Sequence, residues 1–491
     1  MKKTVKKNLL SYFYIFSLGI LSSFSLPPYN FVLINFFTFS ALFIFFVKQK
    51  FSLSKKEYFL NGWVFGFGYF MSGLYWITIS LTFDQTFKIL IPIAFLLIPL
   101  FLAIFYGLAT FFLFFFKKFS NISLILVFSL TLSISEFLRG NILSGFPWNL
   151  ISFSFSDFSY LLQTLSLIGT YSFNLICVTL FILPSLFYLK KNKYDIYFIV
   201  SFGILLISGI IFGHIKLNQS KDATFKSNNF IIKIISPKIG IERFYNTENE
   251  QEILESLIKL SQPNKEVKTI FVWPEGVFNS TELKNIKKYQ NLFKEKFSNK
   301  HIIIFGINNS VDKKTFNSLA VVNSNLDLIE FYDKNNLVPF GEFLPFETSL
   351  KSLGMKTITN FYNSYSAGEK RDIINLHKHD FDISFLPLIC YEIIYSGKLS
   401  KKYNYDLIIN ISEDGWFGNS IGPYQHFSHS IFRSIEEGKS VIRSTNNGIS
   451  ALINPKGQVI DKIETTERGF IKLNTFKKAN KTIFSSFGNK I

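Results

Sequence analysis

Residues 1 to about 215 form a succession of apolar runs, and this feature constrains the fold more than any other. Each run is close to the length of about 20 residues that a helix needs to cross a bilayer. A soluble domain has no place for so many long apolar runs, so this part of the chain is expected in a membrane. Membrane-spanning helices, about seven in all, are predicted near 9–26, 29–47, 58–82, 89–116, 121–138, 160–189 and 196–213.

The composition agrees with a membrane protein and argues against a nucleic-acid partner. Of the 491 residues, 48% are hydrophobic, only 18% are charged, and 61 are Phe. A net charge of +18 could serve nucleic-acid binding if it were gathered on one face. Here the lysines of the first part of the chain stand between apolar runs, where positive charge orients membrane spans.

The distribution of lysine between the loops predicts the orientation of these spans. Lys-rich segments precede the first span and follow the second, fourth and sixth, whereas an alternate loop such as "LPPYN" carries no positive charge. By the positive-inside rule the N-terminus is cytoplasmic. Seven crossings then place everything beyond about residue 215 on the outer face of the membrane.

One outer loop, "SEFLRGNILSGFPWNL" at 135–150, is richer in polar and aromatic residues than the others. Glu136 and Arg139 lie near the predicted membrane face, and "GFPW" reads as a rigid turn at the membrane interface. Two interpretations are open: an aromatic anchor at the headgroup level, or a loop that lines a lipid-entry path to an external site.

The pattern changes near residue 216, which divides a membrane domain, 1–215, from a second domain, 216–491. Short β-rich runs such as "TIFVWPEG" and "FDISFLPLIC" alternate there with helical stretches at 247–261 and 281–298. This alternation predicts a layered α/β domain. The segment "SVIRSTNNGISALINPKGQVIDKI" reads as three strands joined by two tight turns.

Cys390 is the candidate nucleophile, because it stands where the apolar run "FLPLICYEII" becomes polar. The other cysteine, Cys177, lies in an apolar stretch, so no disulfide is expected. A thiol is mostly protonated at neutral pH and needs a base or a cation nearby. His426 and His429 have no carboxylate at a recognisable spacing, so a Cys–His dyad is less favoured.

Glu275 and Lys334 are better candidates to activate this thiol. Glu275 follows a buried-looking strand in "TIFVWPEG", and Lys334 follows an amphipathic strand in "LIEFYDKNNLVPFGEFLP". Strand ends are where α/β folds usually place functional groups. Taken singly, each could be an ordinary surface charge. Together they supply a base, a cation and a nucleophile at the ends of separate strands.

The segments "WPEG", "YDKNNLVPFGEFLP" and "LICYE", in this order, resemble the Glu–Lys–Cys triad of the nitrilase, or carbon–nitrogen hydrolase, superfamily. With the preceding spans, the chain resembles the membrane-bound apolipoprotein N-acyltransferase branch of that superfamily, found in the bacterial inner membrane. The segments "GWFGNSIGPYQHF", "RSTNNGIS" and "GFPW" carry the same resemblance. It implies a multi-pass helical membrane domain followed by a periplasmic α-β-β-α sandwich.

The resemblance also implies an activity. Glu275 would act as general base, Cys390 would take an acyl chain from a phospholipid as a thioester, and Lys334 would stabilise the oxyanion. The acceptor would be the N-terminal amine of a diacylglyceryl-modified apolipoprotein. Neither a cofactor nor a metal is expected. Phospholipid, apolipoprotein and membrane lipids are therefore the expected partners.

Further site residues follow from the same resemblance. Three residues are implied to support the triad: Glu342, Tyr391 and Glu392. Three aromatic residues are implied to contact substrate: Trp148, Trp416 and Phe417. For Trp416 and Phe417 a structural role is equally open. The semi-apolar segment 346–369 is either a flap that touches the membrane or an ordinary surface excursion.

The chain departs from the family pattern in two places. Glu413 stands in "SEDGWFG" where the family usually carries Asn. The family also closes with a further span, whereas this chain ends at "TIFSSFGNKI", so the usual C-terminal span is expected to be absent.

Two other functions compete with acyl transfer. One is a membrane-tethered amidase that hydrolyses a C–N bond with water, and the other is a transporter or scaffold without catalysis. A thioester open to solvent is hydrolysed, so exclusion of water decides between transfer and hydrolysis. Multiple spans joined to one catalytic domain favour lipid substrates, and therefore transfer.

Overall fold

The structure, a computed structural model, describes the whole chain except residues 1, 190–191, 220–222, 227–228, 246–249, 353–356, 358–363, 400–403, 479 and 491. The described chain divides into two compact units. The first comprises residues 1–218 together with 487–491, and the second comprises residues 219–486.

The first unit is helical. Its α-helices are α1 (Lys2–Ser23), α2 (Leu33–Lys48), α3 (Lys55–Gly73), α4 (Ile91–Leu113), α5 (Asn121–Asn141), α6 (Ser159–Leu162), α7 (Leu165–Ile182), α8 (Ser185–Tyr188) and α9 (Lys193–Asn218). Local sequence explains their starts: Ser54 and Glu57 form a reciprocal capping box at α3, and the Ser120 hydroxyl caps α5.

Within the described residues, four helical segments are long and apolar enough to cross a membrane: 85–116, 121–141, 165–188 and 193–218. A fifth arises if α3 and the 3-10 helix Tyr75–Thr82 form one span, bent by 47°. Two shorter apolar helices, Leu9–Ser23 and Leu33–Lys48, precede them. The unit thus consists of apolar helices, several of them long enough to span a membrane, as predicted. The number of crossings stays a prediction.

The loop singled out in the sequence is tied back onto α5. Glu136 and Arg139 form a buried ion pair, and Arg139 also donates to the main-chain oxygens of Phe146 and Trp148. The Trp148 side chain is 1% exposed and packs against Trp76 with ring centroids 5.0 Å apart. A cation that neutralises a buried carboxylate therefore also fixes the path of the loop.

The second unit contains two six-stranded sheets, as the resemblance implied. The strands are β1 (Ala223–Lys226), β2 (Ile231–Ser236), β3 (Thr269–Val272), β4 (His301–Val311), β5 (Lys314–Asn323), β6 (Leu328–Asp333), β7 (Ile374–Asn375), β8 (Ser384–Ile389), β9 (Leu407–Glu413), β10 (Ser440–Asn446), β11 (Ser450–Ile453), β12 (Val459–Ile463), β13 (Gly469–Leu473) and β14 (Thr475–Lys478). One sheet has the strand order β13-β2-β3-β4-β5-β6 and the other β12-β11-β10-β9-β8-β7, and β1 pairs with β14 separately.

Helices pack on these sheets: α10 (Glu250–Ser261) and α11 (Gln290–Lys296) on the first sheet, and α13 (Gly422–Glu437) on the second. Two shorter helices are α12 (Glu347–Ser352) and α14 (Ile483–Phe487). Leu254 and Leu257 of α10 and Phe293 of α11 are fully buried in the core of the first sheet. Between the sheets, the Ser444 hydroxyl of β10 donates to the Ile235 carbonyl of β2 at 2.8 Å. The result is an α-β-β-α sandwich.

Two local predictions can be compared with this fold. The three predicted C-terminal strands are confirmed as β10, β11 and β12, paired antiparallel in sequence order. The predicted helix at 281–298 is a 3-10 helix, Leu283–Tyr289, followed by the short α11. Leu283 and Ile286, both buried, lie three residues apart, and a 3-10 helix places such residues on one face.

Candidate active site

Glu275 is delivered to the site by the central parallel strand β3. The strand ends at Val272, and the chain continues through Trp273 and Pro274. Gly306 of β4 makes room for this segment, because a Cβ there would lie 2.6 Å from the Cα atom of Glu275. The Gly306 amide donates to the Pro274 carbonyl at 3.1 Å, so sheet pairing fixes the approach of the glutamate.

The Glu275 carboxylate is buried and held on both oxygens. Oε1 accepts a hydrogen bond from Asn317 Nδ2 at 2.7 Å, and Oε2 accepts one from the Glu413 main-chain amide at 2.9 Å. Burial raises the pKa of Glu275 above its ordinary value, the Lys334 ammonium opposes this, and the charge of Glu342 adds to it. A carboxylate with a raised pKa is suited to accept a proton near neutral pH.

Lys334 follows the last residue of β6 and is 1% exposed. Its Nζ atom lies 2.9 Å from Glu342 Oε1 and 3.6 Å from Glu275 Oε1. Burial would lower the pKa of Lys334, but the Glu342 and Glu275 carboxylates outweigh it and raise the pKa well above its ordinary value. Lys334 is therefore a fixed positive charge.

Asn317 joins these groups, and sequence reasoning missed it. Its Nδ2 atom donates to Glu275 Oε1 and, at 2.8 Å, to Glu342 Oε1, while its carbonyl accepts from the Lys334 amide at 2.8 Å. The pairing of Ser318 with Asp333 in the β5–β6 ladder brings it there. The only signal in the sequence is a polar Asn beside the apolar run of β5, and this signal is weak.

Cys390 is the first residue after β8 and opens a 3-10 turn, Cys390–Ile394. Its φ angle of +50° lies in the left-handed region, which costs a non-glycine residue roughly 1–3 kcal/mol and is characteristic of functional sites. Burial raises the pKa of the thiol well above its ordinary value, and the Glu275 charge adds to this while Lys334 opposes it. The resting thiol thus keeps its proton and needs a base.

Glu392 connects the Cys390 turn to the segment that follows Lys334. Its Oε2 atom accepts from the Ile389 amide at 2.9 Å, while Oε1 accepts from the amides of Asn335 at 3.0 Å and Asn336 at 3.1 Å. Arg371, which the sequence did not single out, contacts the same oxygen at 2.6 Å. Glu392 therefore sets the position of the nucleophile relative to the cation.

Two of the remaining predicted residues flank the site as half-buried aromatics. Trp416 stacks on Phe244 with centroids 5.4 Å apart, and Phe417 meets His426 edge-on at 5.6 Å. Tyr391, next to the nucleophile, is buried and lies edge-on to Tyr395.

Trp148 belongs to the first unit, and its contact with substrate stays a prediction. Residues 353–356 and 358–363 of the predicted flap lie outside the described residues. The end of that segment is anchored at the site: the Tyr365 amide donates to the Glu342 carbonyl at 2.7 Å, and the Gly368 amide donates to the Lys334 carbonyl at 2.8 Å.

His426 has a carboxylate partner after all, which corrects the expectation from sequence. Its Nδ1 atom lies 2.9 Å from Asp414 Oδ1, and Asp414 is also paired with the buried Arg443 at 2.8 Å. The other ring nitrogen lies 3.3 Å from the main-chain oxygen of Cys390. Burial and the charge of Arg443 lower the pKa of His426, so a neutral ring supports the backbone of the Cys390 turn.

Taken together, the second unit brings a carboxylate, an ammonium and a thiol into one buried group. The carboxylate can accept the thiol proton, the thiolate can attack a carbonyl carbon, and the ammonium can stabilise the negative oxygen that forms. This arrangement on an α-β-β-α sandwich, joined to a membrane-embedded helical unit, defines a membrane-bound enzyme of the carbon–nitrogen hydrolase class.

Comparison with known proteins agrees with both halves of this description. Residues 18–183 match the apolipoprotein N-acyltransferase N-terminal domain, and residues 280–474 match the carbon–nitrogen hydrolase family. The apolipoprotein N-acyltransferase of Rickettsia prowazekii is 32% identical over 482 residues, 96% of this chain and 93% of the relative. That of Rhizobium rhizogenes is 30% identical over 429 residues, 84% and 79% of the two chains. The chain therefore belongs to the apolipoprotein N-acyltransferase family.

Among solved structures, the chain is similar to XC1258 from Xanthomonas campestris, a CN-hydrolase superfamily protein. The identity is 15% and the TM-score is 0.36, over 51% of this chain and 91% of the other.

Proposed function

We propose that this protein transfers a fatty acyl chain from a phospholipid to the N-terminal α-amine of a diacylglyceryl-modified apolipoprotein, through a thioester on Cys390. The observation that carries the proposal is the buried group formed by Glu275, Lys334 and Cys390 in a chain of this family. Residues 1–215 are the membrane domain and residues 216–491 the catalytic domain.

In the first half-reaction, Glu275 takes the proton from the Cys390 thiol as the sulfur attacks the ester carbonyl of the phospholipid. The oxyanion that forms is stabilised by the ammonium of Lys334. Collapse of the tetrahedral intermediate breaks the ester C–O bond. Glu275 returns the proton to the departing oxygen, which leaves a lysophospholipid and an acylated Cys390.

In the second half-reaction, the α-amine of the apolipoprotein attacks the thioester carbonyl. An unperturbed α-amine has a pKa of about 7.7–8.0, so a fraction is neutral and nucleophilic at neutral pH. Glu275 accepts the proton that the nitrogen loses as the amide forms. The C–S bond then breaks, and the thiolate of Cys390 recovers its proton from Glu275.

The supporting residues keep this geometry in place. Glu342 holds the Lys334 ammonium, and Glu392 ties the Cys390 turn to the Lys334 segment. Tyr391 fills the space beside the nucleophile. Three aromatic residues are proposed to contact the acyl chains or the acceptor: Trp148, Trp416 and Phe417.

We place the protein in the bacterial inner membrane, with its N-terminus in the cytoplasm and its catalytic domain in the periplasm. The support is the alternation of Lys-rich loops with loops poor in positive charge. Diacylated lipoproteins and phospholipids both lie in a membrane, so a membrane-anchored enzyme meets both substrates there.

Intact mass measurement tests the proposal directly. The purified protein and its Cys390→Ala variant are incubated with phospholipid vesicles, and their intact masses are measured by mass spectrometry. We expect a mass gain of one acyl chain that is absent in the variant, sensitive to hydroxylamine, and discharged by a diacylated lipopeptide. If no adduct forms while small amides are hydrolysed in a Cys390-dependent way, acyl transfer is wrong and the protein is a tethered amidase.

A further inference from the structure

Glu413, the residue that departs from the family pattern, has a buried partner. The last residue of β9, Glu413 is 1% exposed, and its carboxylate forms an ion pair with Arg243, which is 5% exposed. A buried carboxylate with no partner would be strongly destabilising. Arg243 therefore explains how a charged residue can occupy this position.

Each side chain of the pair also binds the backbone around it. Glu413 Oε1 accepts from the Gly415 amide at 2.7 Å and thereby shapes the turn that carries Trp416. Arg243 Nε donates to the Gly276 carbonyl at 3.1 Å, and its Nη1 atom donates to the Gly240 carbonyl at 3.0 Å. The pair thus clamps three chain segments, one of which directly follows Glu275.

The clamp acts on Glu275 through a main-chain hydrogen bond. The amide of Glu413 donates to Glu275 Oε2 at 2.9 Å, and a hydrogen bond to a carboxylate favours its charged form. The pair therefore links Gly276, the residue after Glu275, to Glu413, the residue whose amide binds the Glu275 carboxylate.

We propose that Arg243 and Glu413 are positioning residues for acyl transfer, which fix the Glu413 amide against the carboxylate of the general base. The inference rests on the proposed role of Glu275. Replacing the Arg243 guanidinium or shortening the Glu413 side chain lets the Gly276 segment move away from the Glu413 segment. The hydrogen bond from the Glu413 amide to Glu275 is then weakened, and Glu275 keeps its proton to higher pH.

Glu275 is surrounded by other charged and titratable groups, so its behaviour belongs to the whole cluster. The groups that face it are Lys334, Glu342, Cys390, Tyr365 and the pair of Glu413 with Arg243. The effect of the pair on the pH dependence of acylation is therefore measured by comparing variants in which all the other groups are unchanged.

The test compares three variants of the full-length protein: Glu413→Gln, Glu413→Asp and Arg243→Lys. Glu413→Asp and Arg243→Lys keep the buried charge balance, so they retain the fold even if Glu413→Gln does not. The readouts are the rate of Cys390 acylation by phospholipid as a function of pH, expressed per folded protein, and the melting temperature. In all three variants, we expect the acylation rate to begin falling on acidification at a pH about one unit higher than in the unaltered protein. At pH values below that point, acylation should be about tenfold slower than in the unaltered protein.

Two control variants make the outcome decisive. Glu250→Gln alters another buried carboxylate, whose partners are Ser280, Thr281 and Tyr289, and should lower the melting temperature without changing the pH at which acylation begins to fall. Glu275→Gln should lose acylation. If Glu275→Gln is inactive but this pH is unchanged in the three variants, the positioning inference alone is wrong. If Glu275→Gln acylates normally, the base assignment fails and the inference with it.

Discussion

At the scale of single residues, Lys334 is a buried cation that lies between the carboxylates of Glu275 and Glu342. Replacing it by glutamine removes the ammonium proposed to stabilise the oxyanion. We expect Lys334→Gln to slow Cys390 acylation by about 10²–10³-fold, the usual cost of losing one such donor. The rate of acyl-enzyme formation from phospholipid vesicles measures this.

Lys287→Gln is the matched control, since its side chain is half-exposed and contacts Asp327 at the surface. It should acylate at the rate of the unaltered protein. A Lys334→Gln variant that acylates equally fast would show that the oxyanion is stabilised by other groups.

Cys390 allows a second prediction at this scale, because the Glu275 charge contributes to the raised pKa of its thiol. In Glu275→Gln that charge is gone, so the thiol should lose its proton at lower pH. We expect small alkylating reagents to label Cys390 about tenfold faster near neutral pH, for a fall of about one pKa unit, while acylation by phospholipid is lost.

Peptide mass mapping separates the labelling of Cys390 from that of Cys177. If Cys390 in Glu275→Gln is alkylated more slowly than in the unaltered protein, Glu275 acts on the thiol mainly as a proton acceptor, and the charge effect is minor.

At the scale of elements, Glu392 joins the Cys390 turn to the Lys334 segment and pairs with Arg371. Burial would raise the pKa of Glu392, but the Arg371 charge and several hydrogen-bond donors outweigh it and lower the pKa. A carboxyl group with a lowered pKa stabilises the fold above its ordinary pKa, and this contribution is lost as the pH falls through the lowered value.

Glu392→Gln should therefore destabilise the protein by about 3–5 kcal/mol near neutral pH, since it leaves Arg371 buried without its counter-ion. The difference from the unaltered protein should shrink on acidification below the ordinary carboxyl pKa. Thermal unfolding followed across this pH range measures it. Glu295→Gln removes an exposed pair with Lys296 and should unfold at the same temperature as the unaltered protein at every pH. A constant difference at all pH values would contradict the role given to the Glu392 charge.

At the scale of the whole molecule, the proposed orientation is open to chemical labelling. In a chain whose own two cysteines are replaced by alanine, single cysteines are introduced as Lys118→Cys and Lys300→Cys, both at exposed positions. A membrane-impermeant maleimide should label Lys300→Cys in intact spheroplasts and Lys118→Cys only after the membrane is opened. The reverse pattern would overturn the proposed orientation.

Features that depend on local sequence could be read without the structure. Continuous apolar runs of about 20 residues predict membrane helices, because each run by itself would expose a large apolar surface to water. The tight turns "NNG" and "NPKG" predict the hairpins of β10, β11 and β12, since their backbone geometry is set by neighbouring residues. Glu275, Lys334 and Cys390 stood out because each follows a strand that the sequence predicts.

The partners of these residues depend on chain segments that are distant in sequence. Asn317 reaches the site only because of the β5–β6 register, and Arg371 meets Glu392 across 21 residues. Arg243 meets Glu413 across 170 residues. A polar residue in an unremarkable segment reads the same whether it faces solvent or a buried charge. The sequence by itself therefore determined the chemistry and its placement at strand ends, whereas only the tertiary structure decided which buried charges neutralise and orient one another, because that requires desolvation by both sheets at once.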